Sequence, residues 1–377
     1  MEIEILKKLI SFKSITPNES GSYEYILELL HGFNALELNK NNVKNLFLYK
    51  QYGECKDSLH ICFAGHVDVV PAGDSWDSDP FIPIIKDGYI YGRGSQDMKS
   101  GIAAFLSAIM EIESFKGIIS ILLTSDEEGD AIYGTRYALE ELKNMNFLPH
   151  FAIVAEPTSV ESICDMIKIG RRGSINGVLT LEGKQGHVAY PSKCINPTEI
   201  LAKLLPKIAG FNLDKGDDNF EPSKVVITDI RGGLEVVNVT PQNIKIMFNI
   251  RNSTNTTLKD VEKYFNDLLK DIKHTLTLKQ SSKPFLSKKD SLVVSLLVKS
   301  IQNILNINPI FSTSGGTSDA RYFAEYGIEV VECGVCNDRI HAVNERVKIA
   351  QLESLKKVFS EFINLAKGID LNQIKLR

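Results

Sequence analysis

The chain has 377 residues, with 43 lysines and arginines against 47 aspartates and glutamates and a net charge of −4. No long basic block marks a nucleic-acid partner, and no apolar run approaches the length of a bilayer span, so neither nucleic acid nor membrane is an expected partner. Its length exceeds one average domain, and 43% hydrophobic with 24% charged residues is ordinary globular composition, so two domains are expected.

Met1-Glu-Ile-Glu-Ile-Leu-Lys-Lys reads as the start of an amphipathic helix, not a signal peptide, which predicts a cytoplasmic protein. Six cysteines stand at 55, 62, 164, 194, 333 and 336 without a disulfide-like framework. In a reducing compartment they are expected to act as small hydrophobes. Cys333-Gly-Val-Cys336 has no second pair to complete a zinc-ribbon site, and no metal role is expected of it.

Residues 2–13 and 21–38 carry apolar positions at helical spacing, 45–51 alternates as a strand, and 58–64 is an apolar strand running into Gly65-His-Val-Asp68. Asp87-Gly88 between 81–85 and 89–91 signals a hairpin. A helix over 97–113, a strand over 118–124, a helix over 131–143 and a strand over 151–155 follow. This alternation predicts an α/β domain with a mainly parallel sheet flanked by helices. From 173 the texture changes: strands over 173–182, 224–231 and 243–251 and helices over 197–209 and 258–269 lack the βαβ rhythm. The α/β pattern returns with helices over 291–305 and 319–325, strands over 309–312 and 328–333, and a closing helix over 351–366. The expected architecture is a discontinuous α/β domain, 1–172 and 285–377, interrupted by an α+β insert at 173–284.

Acids and imidazoles recur where strands should end. Thr124-Ser-Asp-Glu-Glu-Gly129 follows the 118–124 strand, and the carboxyl ends of strands are where open α/β sheets place ligands. Of adjacent Glu127 and Glu128, one could bind a cation while the other takes a proton from water. Alternatively Asp126, Glu127 and Glu128 serve only the N-terminus of the next helix. His66 and Asp68 close the second strand, Asp97 opens a helix, Glu156 ends the 151–155 strand, and His341 lies in Asn337-Asp-Arg-Ile-His-Ala-Val-Asn344. Nitrogen and oxygen ligands without thiolate fit zinc, cobalt or manganese hydrolytic sites.

His66-x-Asp68, Gly92-Arg-Gly-x-x-Asp97-Met-Lys-x-Gly101, Asp126-Glu-Glu-Gly129 and Glu156-Pro157 together resemble the co-catalytic zinc metallopeptidase family of aminoacylases, carboxypeptidase G-type enzymes and bacterial N-acyl amino-acid deacylases. The resemblance implies two Zn2+ per subunit, with Co2+ able to substitute, and a site that polarises a scissile carbonyl. Asp97 would bridge the ions, His66 and Glu156 would complete one shell, and Glu128 and His341 the other. Glu127 would be the general base, and Asp68 would hydrogen-bond the second nitrogen of His66. The insert would form a homodimer, and His187, in Gly186-His-Val-Ala-Tyr-Pro191, would reach the scissile carbonyl of the neighbouring subunit.

Within that family, Gly170-Arg-Arg-Gly-Ser174, the 312–321 stretch and the surroundings of His341 resemble members acting on substrates with several carboxylates. Such a substrate calls for guanidinium forks and backbone donors. Arg171 or Arg172, Arg251 and the loop Ser314, Gly315, Gly316, Thr317 could supply them, with Ser174, Tyr190 and Asn238 as further candidate contacts. The alternatives are another deacylase or dipeptidase of the family, or a non-catalytic binding protein. The latter would be expected to lack a ligand or the base, and none is missing.

Overall fold

The unbroken apolar run before Gly65 forms the strand Leu59–His66, in which every residue is buried, so both faces are covered. The computed structural model describes residues 1–53, 58–367 and 369, and Cys55 lies outside them. The chain divides into two units: Met1–Ile169 with Ser287–Ser312 and Ser318–Arg377, and Gly170–Leu286 with Thr313–Thr317.

The first unit is built on an eight-stranded sheet. Its central strands Gly117–Thr124, Leu59–His66, Phe151–Val154 and Glu329–Glu332 are mutually parallel. Asn45–Tyr52 and Asn34–Glu37 extend one side antiparallel. Met166–Lys168 joins Glu329–Glu332 antiparallel on the other side, followed by Ile310–Ser312. The helices Lys99–Met110 and Ile349–Ala366 meet over the sheet at Phe63, whose ring centroid is 5.7 Å from Phe105 and 5.5 Å from Phe359. Such a both-sides-covered, mainly parallel sheet needs near-continuous apolar strands, which is why these runs are legible in the sequence.

The hairpin forms between Ile84–Lys86 and Tyr89–Tyr91. Asp87 (φ 51°) and Gly88 (φ 78°) both take the left-handed conformation of its turn. Arg346–Lys348 pairs with Tyr89–Tyr91 as a third strand, just after the His341 segment.

The second unit is a four-stranded antiparallel sheet in the order Lys224–Gly232, Asn243–Arg251, Ser174–Glu182, His274–Ser282. Helices Pro197–Ile208 and Leu258–Leu268 contribute Leu201, Leu204, Ile208, Val261 and Phe265 to one core with Ile175, Leu179, Ile246 and Phe248. The alternating burial of Asn243–Arg251 shows one face on that core and one facing outward.

Two elements differ from the sequence expectation. The helix expected over 21–38 ends at Leu29, and Asn34–Glu37 beyond it is a strand. The second unit has a fourth strand, His274–Ser282, whose alternate residues are exposed. The second unit begins at Gly170 and ends at Leu286, slightly wider than the 173–284 insert, and takes in Thr313–Thr317.

Candidate active site

Sheet register brings distant residues to one level. His66 is paired with Thr124, and Ala64 with Val154. Glu156, two residues past Val154, therefore stands level with His66, and the acids after Thr124 emerge beside both. Close backbone packing fixes Glu156. A Cβ on Gly101 would lie 2.2 Å from the Ala155 carbonyl oxygen, and one on Gly334 would lie 2.2 Å from that of Glu156.

Asp97 stands between the two histidines. Its Oδ1 is 3.1 Å from Nε2 of His66, and its Oδ2 is 3.4 Å from Nε2 of His341. Nε2 of His66 is also 3.9 Å from Glu156 Oε1, and Nε2 of His341 is 2.8 Å from Glu128 Oε1. One ligand atom from each of His66, Asp97 and Glu128 lies within 4.8 Å of the others. The Asp97–Met98 peptide is cis.

Asp68 differs from expectation in how it holds His66. Nδ1 of His66 donates to the backbone carbonyl of Asp68 at 2.9 Å, while the Asp68 carboxylate oxygen is 3.6 Å away. The main chain thus orients the ring, leaving Nε2 toward the acids. The carboxylate instead accepts the backbone N–H of Glu127 at 3.4 Å and of Glu128 at 3.1 Å. Asp126 serves the approach to the next helix: its Oδ2 accepts the N–H groups of Ile132 (3.1 Å) and Tyr133 (3.3 Å) ahead of helix Thr135–Asn144.

The electrostatics describe a site built for cations. Burial, then the neighbouring Asp319, Glu128 and Asp97 charges, raise the Glu127 carboxyl well above the usual range despite the opposing pull of His66. Burial and Asp97 do the same to Glu156. Hydrogen bonds to Asp97 and Glu128 push His341 up to about 10. Burial disfavours charge on Asp97, but its bonds to His341 and His66 prevail and lower its pKa. Carboxylates crowded this closely favour a bound cation, and a divalent ion can offset their charges. The nitrogen and oxygen donor set fits zinc, cobalt or manganese.

Cys164 and Cys333 are buried with their sulfurs 3.4 Å apart, and Cys336 accepts a hydrogen bond from Gln351 at 3.0 Å.

The remaining candidates belong to the second unit. Arg171 is buried, and its Nη1 donates to the carbonyls of Ser314 (3.3 Å) and Gly316 (3.4 Å). It therefore shapes the loop of Ser314, Gly315, Gly316 and Thr317 from beneath, and a Cβ on Gly315 would lie 2.7 Å from that nitrogen. Thr313 Oγ1 ties the same loop to the Asn219 carbonyl. Arg172 pairs with the exposed Glu221 at 3.3 Å. Arg172, Arg251 and Lys224 line a cavity of about 380 Å³, and burial together with the Arg172 charge lowers the pKa of Arg251. Ser174 accepts a hydrogen bond from Asn249 at 2.9 Å. His187 is exposed, with its ring centroid 5.9 Å from that of Tyr190, and a bridge between His187 and Val239 sets it beside Asn238.

Several structural ties carry no role in the sequence reading: Arg93, Gln96 and Glu345, which tie the Asp97 and His341 loops together, and, within the second unit, Thr313. Their signal was Glu345 within the His341 motif and Arg93 within the Asp97 motif.

A covered parallel sheet, with histidines and carboxylates converging at its strand ends, defines a metal-dependent hydrolase. The chain matches the model of peptidase family M20/M25/M40 over residues 62–365, and it belongs to that family. It is 57% identical over 359 residues to the succinyl-diaminopimelate desuccinylase of Wolinella succinogenes, covering 95% of this chain and 98% of that one. It is 53% identical over 370 residues to the succinyl-diaminopimelate desuccinylase of Helicobacter pylori, covering 95% and 97%. Among solved structures, aminopeptidase PepT from Bacillus cereus shares the fold with a TM-score of 0.81 at 20% identity, covering 97% and 98%. The YXEP protein of Bacillus subtilis, a dinuclear metal-binding peptidase, does so with a TM-score of 0.74 at 14% identity, covering 97% of each chain. Among the described residues, no helix is long and apolar enough to cross a membrane.

Proposed function

We propose that this chain hydrolyses the amide of N-succinyl-LL-2,6-diaminopimelate, releasing succinate and LL-2,6-diaminopimelate. The observation that carries this is near-full-length identity above 50% to proteins of that name, together with Asp97 facing both His66 and His341.

In this reading His66, Asp97 and Glu156 would hold one zinc ion, and Asp97, Glu128 and His341 would hold the other. Bound there, such a pair supplies Lewis-acid polarisation of the scissile carbonyl and acidifies the attacking water. Glu127 takes a proton from that water as its oxygen bonds to the carbonyl carbon. The carboxylate form needed for this is favoured once cations offset the neighbouring acids. As the C–N bond breaks, Glu127 returns the proton to the departing nitrogen, and the water's second proton, left on the new carboxyl group, passes to the amine, leaving a carboxylate and an ammonium group. Asp68 supports both steps indirectly, through the backbone N–H groups of Glu127 and Glu128.

For a substrate with several carboxylates, Arg172 and Arg251 supply cations in one cavity, while Arg171 orders the loop that offers N–H and hydroxyl donors. We assign to the second unit a dimerisation role. Val188, Tyr190, Leu234, Val236 and Val237 are exposed there, and Lys224–Gly232 is an edge strand. His187 would then serve the partner's site as an oxyanion donor, with Tyr190 and Asn238 beside it. The experiment is a comparison of kcat/KM for N-succinyl-LL-diaminopimelate and N-acetylornithine with zinc present. Preference for the succinyl substrate is expected, and equal or better use of acetylornithine would move the assignment to the deacetylases.

A further inference from the structure

Arg93 and Glu345 form an ion pair at 2.8 Å with 2% and 1% of their surfaces exposed. Burying two charges costs hydration that a well-packed apolar pair would not lose, so stability alone gives little reason for such a pair. Its hydrogen bonds reach where an apolar pair could not. Glu345 Oε2 also accepts the N–H of Gly94 at 2.9 Å, and its Oε1 accepts those of Gln96 at 2.7 Å and Asp97 at 3.1 Å. Arg93 donates to the carbonyls of His341 and Ala342, both at 3.3 Å, and of Ala72 at 3.1 Å. Gln96 adds a second tie, donating to Asp338 Oδ1 at 2.6 Å and accepting the N–H of Arg339 at 2.9 Å. Three loops that follow or contain His66, Asp97 and His341 thus meet at one buried pair.

The two halves of the metal centre depend on this knot unequally. His66 ends a strand whose ladder runs through His66 itself, and Glu156 follows a strand by two residues. The sheet holds both. His341 has no such support: it lies in a loop, half exposed, with φ at 60° in the left-handed region. Its main-chain carbonyl is fixed by Arg93.

We propose that Arg93 and Glu345 are positioning residues that hold His341 against Asp97, so that the ion bound by Asp97, Glu128 and His341 depends on them far more than the ion bound by His66, Asp97 and Glu156. This rests on the metal-dependent reading of the site. The pair acts through the loops it fixes.

The test is calorimetric titration of metal-stripped protein with Zn2+, alongside thermal melting, for wild type, Glu345→Gln and Arg93→Lys. Gln keeps the shape of Glu345 but presents a donor to N–H groups, and Lys keeps the charge of Arg93 but loses its fork. Wild type is expected to bind two ions. Glu345→Gln is expected to keep the first affinity and weaken the second by about 10–100-fold, the usual range for groups that orient ligands. Arg93→Lys should act in the same direction, and excess zinc should recover turnover in both. Should Glu345→Gln fail to fold, Arg93→Lys decides. A folded variant that binds both ions with wild-type affinity, or loses both equally, overturns the proposal, as does a wild type that binds a single ion. Failure of the desuccinylase reading would look different: wild type with both ions bound and no succinate released.

Discussion

Oδ2 of Asp97 lies 3.4 Å from Nε2 of His341, while the other oxygen of the same carboxylate faces His66 at 3.1 Å. One short side chain therefore joins a strand-end histidine to a loop histidine from the far end of the chain. In the proposed two-ion site, Asp97→Ala should weaken binding of both ions, whereas Glu156→Ala should weaken only the ion it shares with His66. Metal content after gel filtration, measured by atomic absorption, separates the two. Equal losses in both variants would contradict the bridging geometry.

Glu127 carries no ligand role in this scheme, although Glu128 beside it does. Glu127→Gln should retain wild-type metal content while lowering kcat by about 10²–10⁴-fold, the usual contribution of a general acid–base group. Loss of metal in this variant would exchange the roles of Glu127 and Glu128.

Part of the site was legible in the sequence because it stands at strand ends. An apolar run buried on both faces announces itself, and the residue that closes it must emerge at the sheet's carboxyl edge. His66, Glu127, Glu128 and Glu156 were found that way. What escaped was set by partners far along the chain. The edge strand Asn34–Glu37 follows a helix without a clear break in periodicity, and its residues are mostly exposed. His274–Ser282, in a polar stretch, is a strand because Ser174–Glu182 supplies its ladder. Arg171 looks like a solvated base or a substrate fork in sequence, and only the fold shows it against the Ser314 and Gly316 carbonyls. Asp68 likewise gives its carboxylate to the backbone of Glu127 and Glu128, which no spacing rule reveals.

Asp214 gives a pH dependence separate from the metal centre. Burial disfavours its charge, yet hydrogen bonds from Ser223, Thr256 and Gly216 outweigh that and hold its carboxyl below the ordinary value of 3.8. Because the folded pKa is depressed, its contribution to stability is present above the unfolded value and is lost as pH falls through the folded one. Asp214→Asn should therefore lower Tm at pH 7, with the gap from wild type closing as pH drops below about 4. A gap that stays constant down to acid unfolding would contradict this.

The proposed dimer can be tested by mixing two inactive proteins. If His187 is the proposed oxyanion donor, His187→Ala should lower kcat by about 10²–10³-fold and leave folding and metal content intact. Under demonstrated subunit exchange with Glu127→Gln, one site per heterodimer regains both residues, and activity should rise toward half of wild type per dimer. No recovery would place His187 in its own subunit's chemistry or outside it.

The most direct measurement is succinate release from N-succinyl-LL-diaminopimelate by one preparation before chelation, after chelation and after zinc is restored. The site of His66, Asp97, Glu128, Glu156 and His341 predicts turnover that disappears with the metal and returns with it. Full succinate release by protein shown to be metal-free would contradict the account, as would zinc-loaded protein that releases none.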